Sequence, residues 1–153
     1  MFDDLRDLYQ EVILDHGRKP RNFRRLETPD LNARGDNPMC GDRIELFIDM
    51  EGDRIADAAF QGRGCAISTA SASLMTETVK GKTADQAREM AAKFRELAMT
   101  GTCPDCGDAL EEDMDRLQAL SGVHEFPSRV KCATLAWHTL NTALQGGKEA
   151  SSE

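Results

Sequence analysis

The chain has 153 residues, 40% of them hydrophobic and 30% charged, and a formal net charge of −8. That length suits one domain with its own core, and the acidity argues against nucleic-acid binding, which needs a basic face. No apolar run approaches a membrane span, and the acidic start Met1-Phe2-Asp3-Asp4 is unlike a signal peptide, so the expected compartment is the cytoplasm.

Leu5, Leu8, Tyr9, Val12 and Ile13 recur at helical spacing and predict an amphipathic helix, with Gly17 as its stop and Pro20 as a barrier to continuation. A short irregular strand is expected at 31–34. The block Asn37-Pro38-Met39-Cys40-Gly41-Asp42-Arg43 follows, and from Arg43 the period changes. Ile44, Leu46, Ile48 and Met50 alternate with Glu45, Phe47 and Asp49, a strand with one apolar face. Glu51-Gly52-Asp53 turns the chain, and 55–61 returns as a second strand with Ala56, Ala58 and Phe60 facing inward.

Cys65 opens an Ala/Ser-rich helix whose small residues suit close packing, ended by Lys80-Gly81-Lys82. Thr83 caps the next helix, 83–97, with Ala84, Ala87, Met90, Ala91 and Phe94 as its stripe. A turn-rich stretch, 100–108, carries Cys103-Pro104-Asp105-Cys106. A short helix is expected at 110–120, stopped by Gly122. The last helix, 128–144, is closed by Gly146-Gly147. The expected organisation is a single domain over 1–147 and a disordered tail over 148–153.

In a reducing compartment five cysteines read as metal ligands or reactive thiols before disulfides. Cys40 and Asp42 offer a soft and a hard ligand on either side of a glycine, which lets both reach one ion. Antiparallel pairing returns the chain to the same end at Cys65. Cys132, at the start of the last helix, supplies a third thiolate, with Arg129 and Lys131 nearby. A cysteine at a helix start faces the positive end of the helix dipole, which suits a metal-binding thiolate. Three thiolates and a carboxylate make a zinc or an iron–sulfur site; the alternative for Cys65 and Cys132 is burial as small hydrophobes. Cys103 and Cys106 have the spacing of a redox pair or half a second metal site, for which His124 is the one nearby further ligand; an exposed, dispensable loop is the plain alternative. Capping and surface roles are expected for His16 and His138.

The block Asn37–Arg43, Gly62-Arg63-Gly64-Cys65-Ala66-Ile67-Ser68 and Arg129-Val130-Lys131-Cys132-Ala133-Thr134-Leu135 resemble the U-type proteins of iron–sulfur cluster assembly. Asp15-His16-Gly17-Arg18-Lys19-Pro20-Arg21-Asn22, Gly122-Val123 and Phe126-Pro127 support the match. The resemblance implies an α+β fold, a small antiparallel β-sheet packed against several α-helices (SufE/IscU-like). It places a metal at one end on Cys40, Asp42, Cys65 and Cys132. The IscU-like branch has a histidine before its last cysteine. The SufU-like branch has a lysine there, as Lys131 is here, and a longer segment between its second and third cysteines. Similarity to that branch implies a zinc-dependent sulfurtransferase that accepts persulfide sulfur from a SufS-like cysteine desulfurase for downstream iron–sulfur assembly proteins. A partner histidine then takes the place of Cys40 on zinc, and the freed Cys40 receives the sulfur. Asp42, Cys65 and Cys132 stay as ligands, with Arg129 as an orienting cation or, alternatively, a surface ion-pair partner. The competing reading is a scaffold that assembles an iron–sulfur cluster on the same four ligands and hands it to recipients. Neither reading involves nucleic acid or a membrane.

Overall fold

The computed structural model describes residues 2–38, 41–101 and 117–151. Its elements are α1 (Phe2–Arg18), β1 (Leu31–Asn37), β2 (Asp42–Glu51), β3 (Arg54–Arg63), α2 (Ala66–Val79), α3 (Ala84–Thr100), a 3-10 helix (Gln118–Glu125), α4 (Pro127–Leu144) and β4 (Glu149–Ser151). The fold is α+β. Three antiparallel strands and the short parallel β4 form one sheet in the order β3-β2-β1-β4.

The β2–β3 hairpin is the one the alternation predicts, with one correction. Asp49 pairs with Asp57 and Met50 with Ile55, so Ala56 is an extra residue in β3. Such a bulge switches the facing of the residues beyond it. Ile55 is therefore buried and Ala56, expected inside, is exposed. The helix-covered face of the sheet carries Ala33, Ile44, Leu46, Ile48, Ala58 and Phe60, all within the core. Phe47 is buried on the other face, under the guanidinium of Arg25 at 5.6 Å.

β1 is longer and more regular than the expected 31–34. Its inward positions are Ala33, Gly35 and Asn37, small or polar, so no large residue marks the alternation. α4 lies directly on them: a Cβ on Gly35 would sit 2.0 Å from Thr139 Oγ1. α4 also meets α2, where Ser71 Oγ donates to the Ala133 carbonyl and accepts from Trp137 Nε1 at 3.2 Å. The Trp137 ring stacks on Phe94 of α3, centroids 4.8 Å apart.

Four further boundaries differ from expectation. α1 runs to Arg18, so Gly17 stands in its last turn. There it admits α2, since an added Cβ would come 3.3 Å from Ala66 Cβ. α3 has the expected Thr83 cap, reciprocated by Gln86, and continues to Thr100, where left-handed Gly101 ends it. Of the helix expected at 110–120, residues 110–116 lie outside the described residues. The 3-10 helix that follows passes through Gly122 and ends at Phe126, whose extended backbone is the conformation favoured before a proline. Within the stretch expected as a tail, Glu149–Ser151 form β4, paired in parallel with Arg34, Gly35 and Asp36.

The outer edge of β3 is also occupied. Phe60 N–H donates to the Asn22 carbonyl at 3.0 Å and its own carbonyl accepts from Arg24 N–H at 3.1 Å. Ile55 N–H donates to the Lys82 carbonyl at 2.8 Å. Among the described residues no helix is long and apolar enough to cross a membrane.

Candidate metal centre

At the end of the sheet where β1 passes into β2, Asn37 and Asp42 are direct cross-strand partners, both buried and facing the helices. The connection between them is closed by Gly41 N–H donating to the Asn37 carbonyl at 2.8 Å. Gly41 has φ +73, a backbone conformation that favours glycine.

β3 returns to this end and stops at Arg63. Gly64 then passes so close to β2 that a Cβ on it would lie 2.6 Å from Asp42 Oδ1. That approach lets Cys65 N–H donate to Asp42 Oδ1 at 2.9 Å. Cys65 is the N-cap of α2, and its Sγ accepts from Ser68 N–H at 3.4 Å. Cys65 therefore stands at a helix start, as expected.

Cys132 does not stand at a helix start. α4 begins at Pro127, so Cys132 is already in the second turn, past the residues whose N–H groups lack helical partners. Its sulfur is met from the sheet instead: Asn37 Nδ2 lies 3.6 Å from Cys132 Sγ, and 3.5 Å from Asp42 Oδ2 at the long limit of a hydrogen bond. The small-hydrophobe alternative fails for Cys65, which is exposed, while Cys132 is 4% exposed.

Asp42, Cys65 and Cys132 each offer one ligand atom, and those atoms lie within 4.8 Å of one another. Two soft sulfurs and one carboxylate suit zinc or iron and are a poor set for magnesium or calcium. Three protein ligands leave one tetrahedral position to fill. Cys40, two residues before Asp42 in sequence, lies outside the described residues, as do Cys103 and Cys106.

Arg129 is exposed, with its guanidinium over the Phe126 ring at 4.6 Å. It stands one helical turn before Cys132 and is not one of the three clustered groups. His16, expected as a cap, instead bridges two helices: its Nδ1 is 2.7 Å from Ser73 Oγ, which also accepts Arg21 N–H at 2.8 Å. His138 is half-buried; desolvation, helped by the charge of Arg95, lowers its pKa from the usual 6.5. Two contributors escaped the sequence reading. Asn37 is a buried donor, and Gly64 makes room for a carboxylate. The adjacency of each to a cysteine block was the available signal.

Residues 8–133 match the family of NifU-like N-terminal domains. The chain is 43% identical over 144 residues to the zinc-dependent sulfurtransferase SufU of Bacillus subtilis (strain 168), covering 92% of each chain. It is 38% identical over 149 residues to the iron–sulfur cluster assembly scaffold protein IscU of Streptococcus pyogenes serotype M1, covering 95% of this chain and 88% of that one. Among solved structures, one described as an iron–sulfur cluster assembly scaffold protein for the SUF system of Fervidobacterium islandicum AW-1 superposes with a TM-score of 0.79 at 35% identity, covering 88% of this chain and 94% of that one. By sequence and by fold, then, the chain belongs to the NifU-like N-terminal domain family, within its SufU and IscU relatives.

Proposed function

We propose that this protein is a sulfur acceptor in iron–sulfur cluster assembly, taking sulfane sulfur from the persulfide of a cysteine desulfurase. The observation that carries the reading is the convergence of Asp42, Cys65 and Cys132 at the end of the sheet that receives the Cys40 block, in a chain similar to a protein named a zinc-dependent sulfurtransferase. Asp42, Cys65 and Cys132 would hold zinc, with Cys40 as the fourth ligand. Zinc bound there supplies a Lewis acid that keeps its thiolates deprotonated at neutral pH.

The chain's own part is positional. Cys65 and Cys132 are fixed at an α2 cap and within α4, while Cys40 sits beside left-handed Gly41 in the β1–β2 connection. Cys40 is therefore assigned the transfer. Its thiolate attacks the sulfane sulfur; a bond forms between Cys40 Sγ and that sulfur as the desulfurase S–S bond breaks, and the desulfurase cysteine leaves as thiolate. Sulfur changes hands with no net oxidation. Lys131 rather than histidine before Cys132 supports the acceptor reading.

The test is mass spectrometry of the protein after incubation with desulfurase and cysteine. Sulfur is expected on Cys40, and Cys40→Ala should keep weakened zinc yet fail to stimulate the desulfurase. Added sulfur on Cys65, Cys132 or Cys106 and absent from Cys40 overturns the assignment. A scaffold function on the same ligands is the second reading, supported by the name of the Streptococcus relative. Elemental analysis of anaerobically purified protein separates the two: zinc without iron favours the acceptor, and iron with sulfide favours the scaffold.

A further inference from the structure

Asn37 is fully buried at the last position of β1, and its side chain faces two acceptors. Nδ2 is 3.6 Å from Cys132 Sγ and 3.5 Å from Asp42 Oδ2. Its Oδ1 is buried too and finds no donor among the described residues. An orphaned buried carbonyl is a cost that native structures rarely carry without cause. Turning the amide over would be worse, because Oδ1 would then face a carboxylate and a sulfur. The orientation is thus dictated by the two ligand atoms, and the backbone carbonyl of the same residue accepts Gly41 N–H across the connection that contains Cys40.

We propose that Asn37 is a positioning residue of the metal centre, one whose amide N–H holds the Cys132 sulfur and the Asp42 carboxylate in register and tunes that sulfur as a donor. The proposal rests on the metal-centre reading above. A hydrogen bond to a ligand sulfur draws charge from it, and partners of this kind typically alter metal affinity by about 10–100-fold when removed.

The experiment uses Co2+ as a spectroscopic replacement in the full chain, comparing wild type with Asn37→Leu and Asn37→Ser. Leucine fills the volume without a donor, whereas serine leaves a hollow and cannot span the distance. Both variants should bind Co2+ and Zn2+ about 10–100-fold more weakly in chelator competition. Both should also shift the sulfur-to-cobalt charge-transfer band to lower energy, while the metal-free circular dichroism stays that of wild type. A packing role alone would spare the leucine variant and leave the band in place, and that result overturns the proposal. If Asn37→Leu does not fold, the band of Asn37→Ser decides, because a packing role alone would leave it in place. Wild-type protein that takes up neither ion removes the metal-centre reading itself; wild type that binds with variants indistinguishable from it removes only the role of Asn37.

Discussion

Replacing Gly64 with alanine perturbs the proposed centre without touching a ligand. The new Cβ would lie 2.6 Å from Asp42 Oδ1 and 3.1 Å from its Cγ. Ordinary contact begins at 3.4 Å, so the carboxylate has to withdraw by about 0.8 Å. It has little room to do so, because Asp42 is 2% exposed and Asn37 stands beyond its other oxygen. The 2.9 Å hydrogen bond from Cys65 N–H is lost in the process. A hydrogen bond to a charged group contributes about 1.5–3 kcal/mol, and each ~1.4 kcal/mol is a factor of ten in affinity. Gly64→Ala should therefore weaken zinc binding about 10–100-fold, measured by competition with a chromophoric chelator. Its metal-free circular dichroism should be unchanged, since no positive φ is required of Gly64. Gly62→Ala provides the contrast: at φ +150, with a Cβ 2.1 Å from the Arg43 carbonyl, it should damage the hairpin itself. Gly64→Ala protein that binds zinc within about twofold of wild type would refute the claim that Asp42 is held for the metal by this close approach.

Metal removal should lower the melting temperature markedly while leaving most helical content. A structural zinc site contributes about 10–16 kcal/mol, yet the core also joins β2, β3 and the helices through residues such as Leu46, Ile48, Phe60, Phe94 and Leu140; an unchanged melting temperature after verified removal would refute structural binding. His138 provides a pH test. Its pKa in the folded protein lies below the usual 6.5, with burial as the leading cause, so the unfolded chain binds the proton more readily. Stability should be level above about pH 6.5 and fall as the pH drops through that value toward the folded pKa. His138→Gln should remove that part of the acid loss, seen as a melting-temperature difference from wild type that changes between pH 7.5 and 5; a difference independent of pH would count against it.

The hairpin was legible because its turn and its alternation agree, Glu51-Gly52-Asp53 between two strands of opposite facing. Ala56 was misread because a bulge leaves no mark in an alanine-rich strand. β1 was under-read for a related reason: a strand pressed against α4 has small residues where an apolar signal would stand, as Gly35 beneath Thr139 shows. β4 depends on where α4 delivers the chain, a tertiary fact invisible in three polar or small residues. For the centre, the hairpin put Asp42 and Cys65 at one end, Cys132 entered as a third thiolate at an expected helix start, and the resemblance joined it to them. The sequence could not show that the Cys132 sulfur is met by Asn37 of β1, since a buried asparagine and a loop asparagine read alike.

The occupied edges of the sheet limit how this protein can associate. The 22–24 segment and Lys82 take up the outward amide groups of Phe60 and the Ile55 N–H on β3, and on the far side β1 is covered by a strand of only three residues. Edges interrupted in this way among the described residues are poor templates for an incoming strand. Fibril-like stacking and partner capture by strand addition are both disfavoured at native concentrations. Recruitment of another protein therefore falls to side chains, and a visiting chain can be released without unzipping any backbone ladder, as the proposed sulfur acceptor would require.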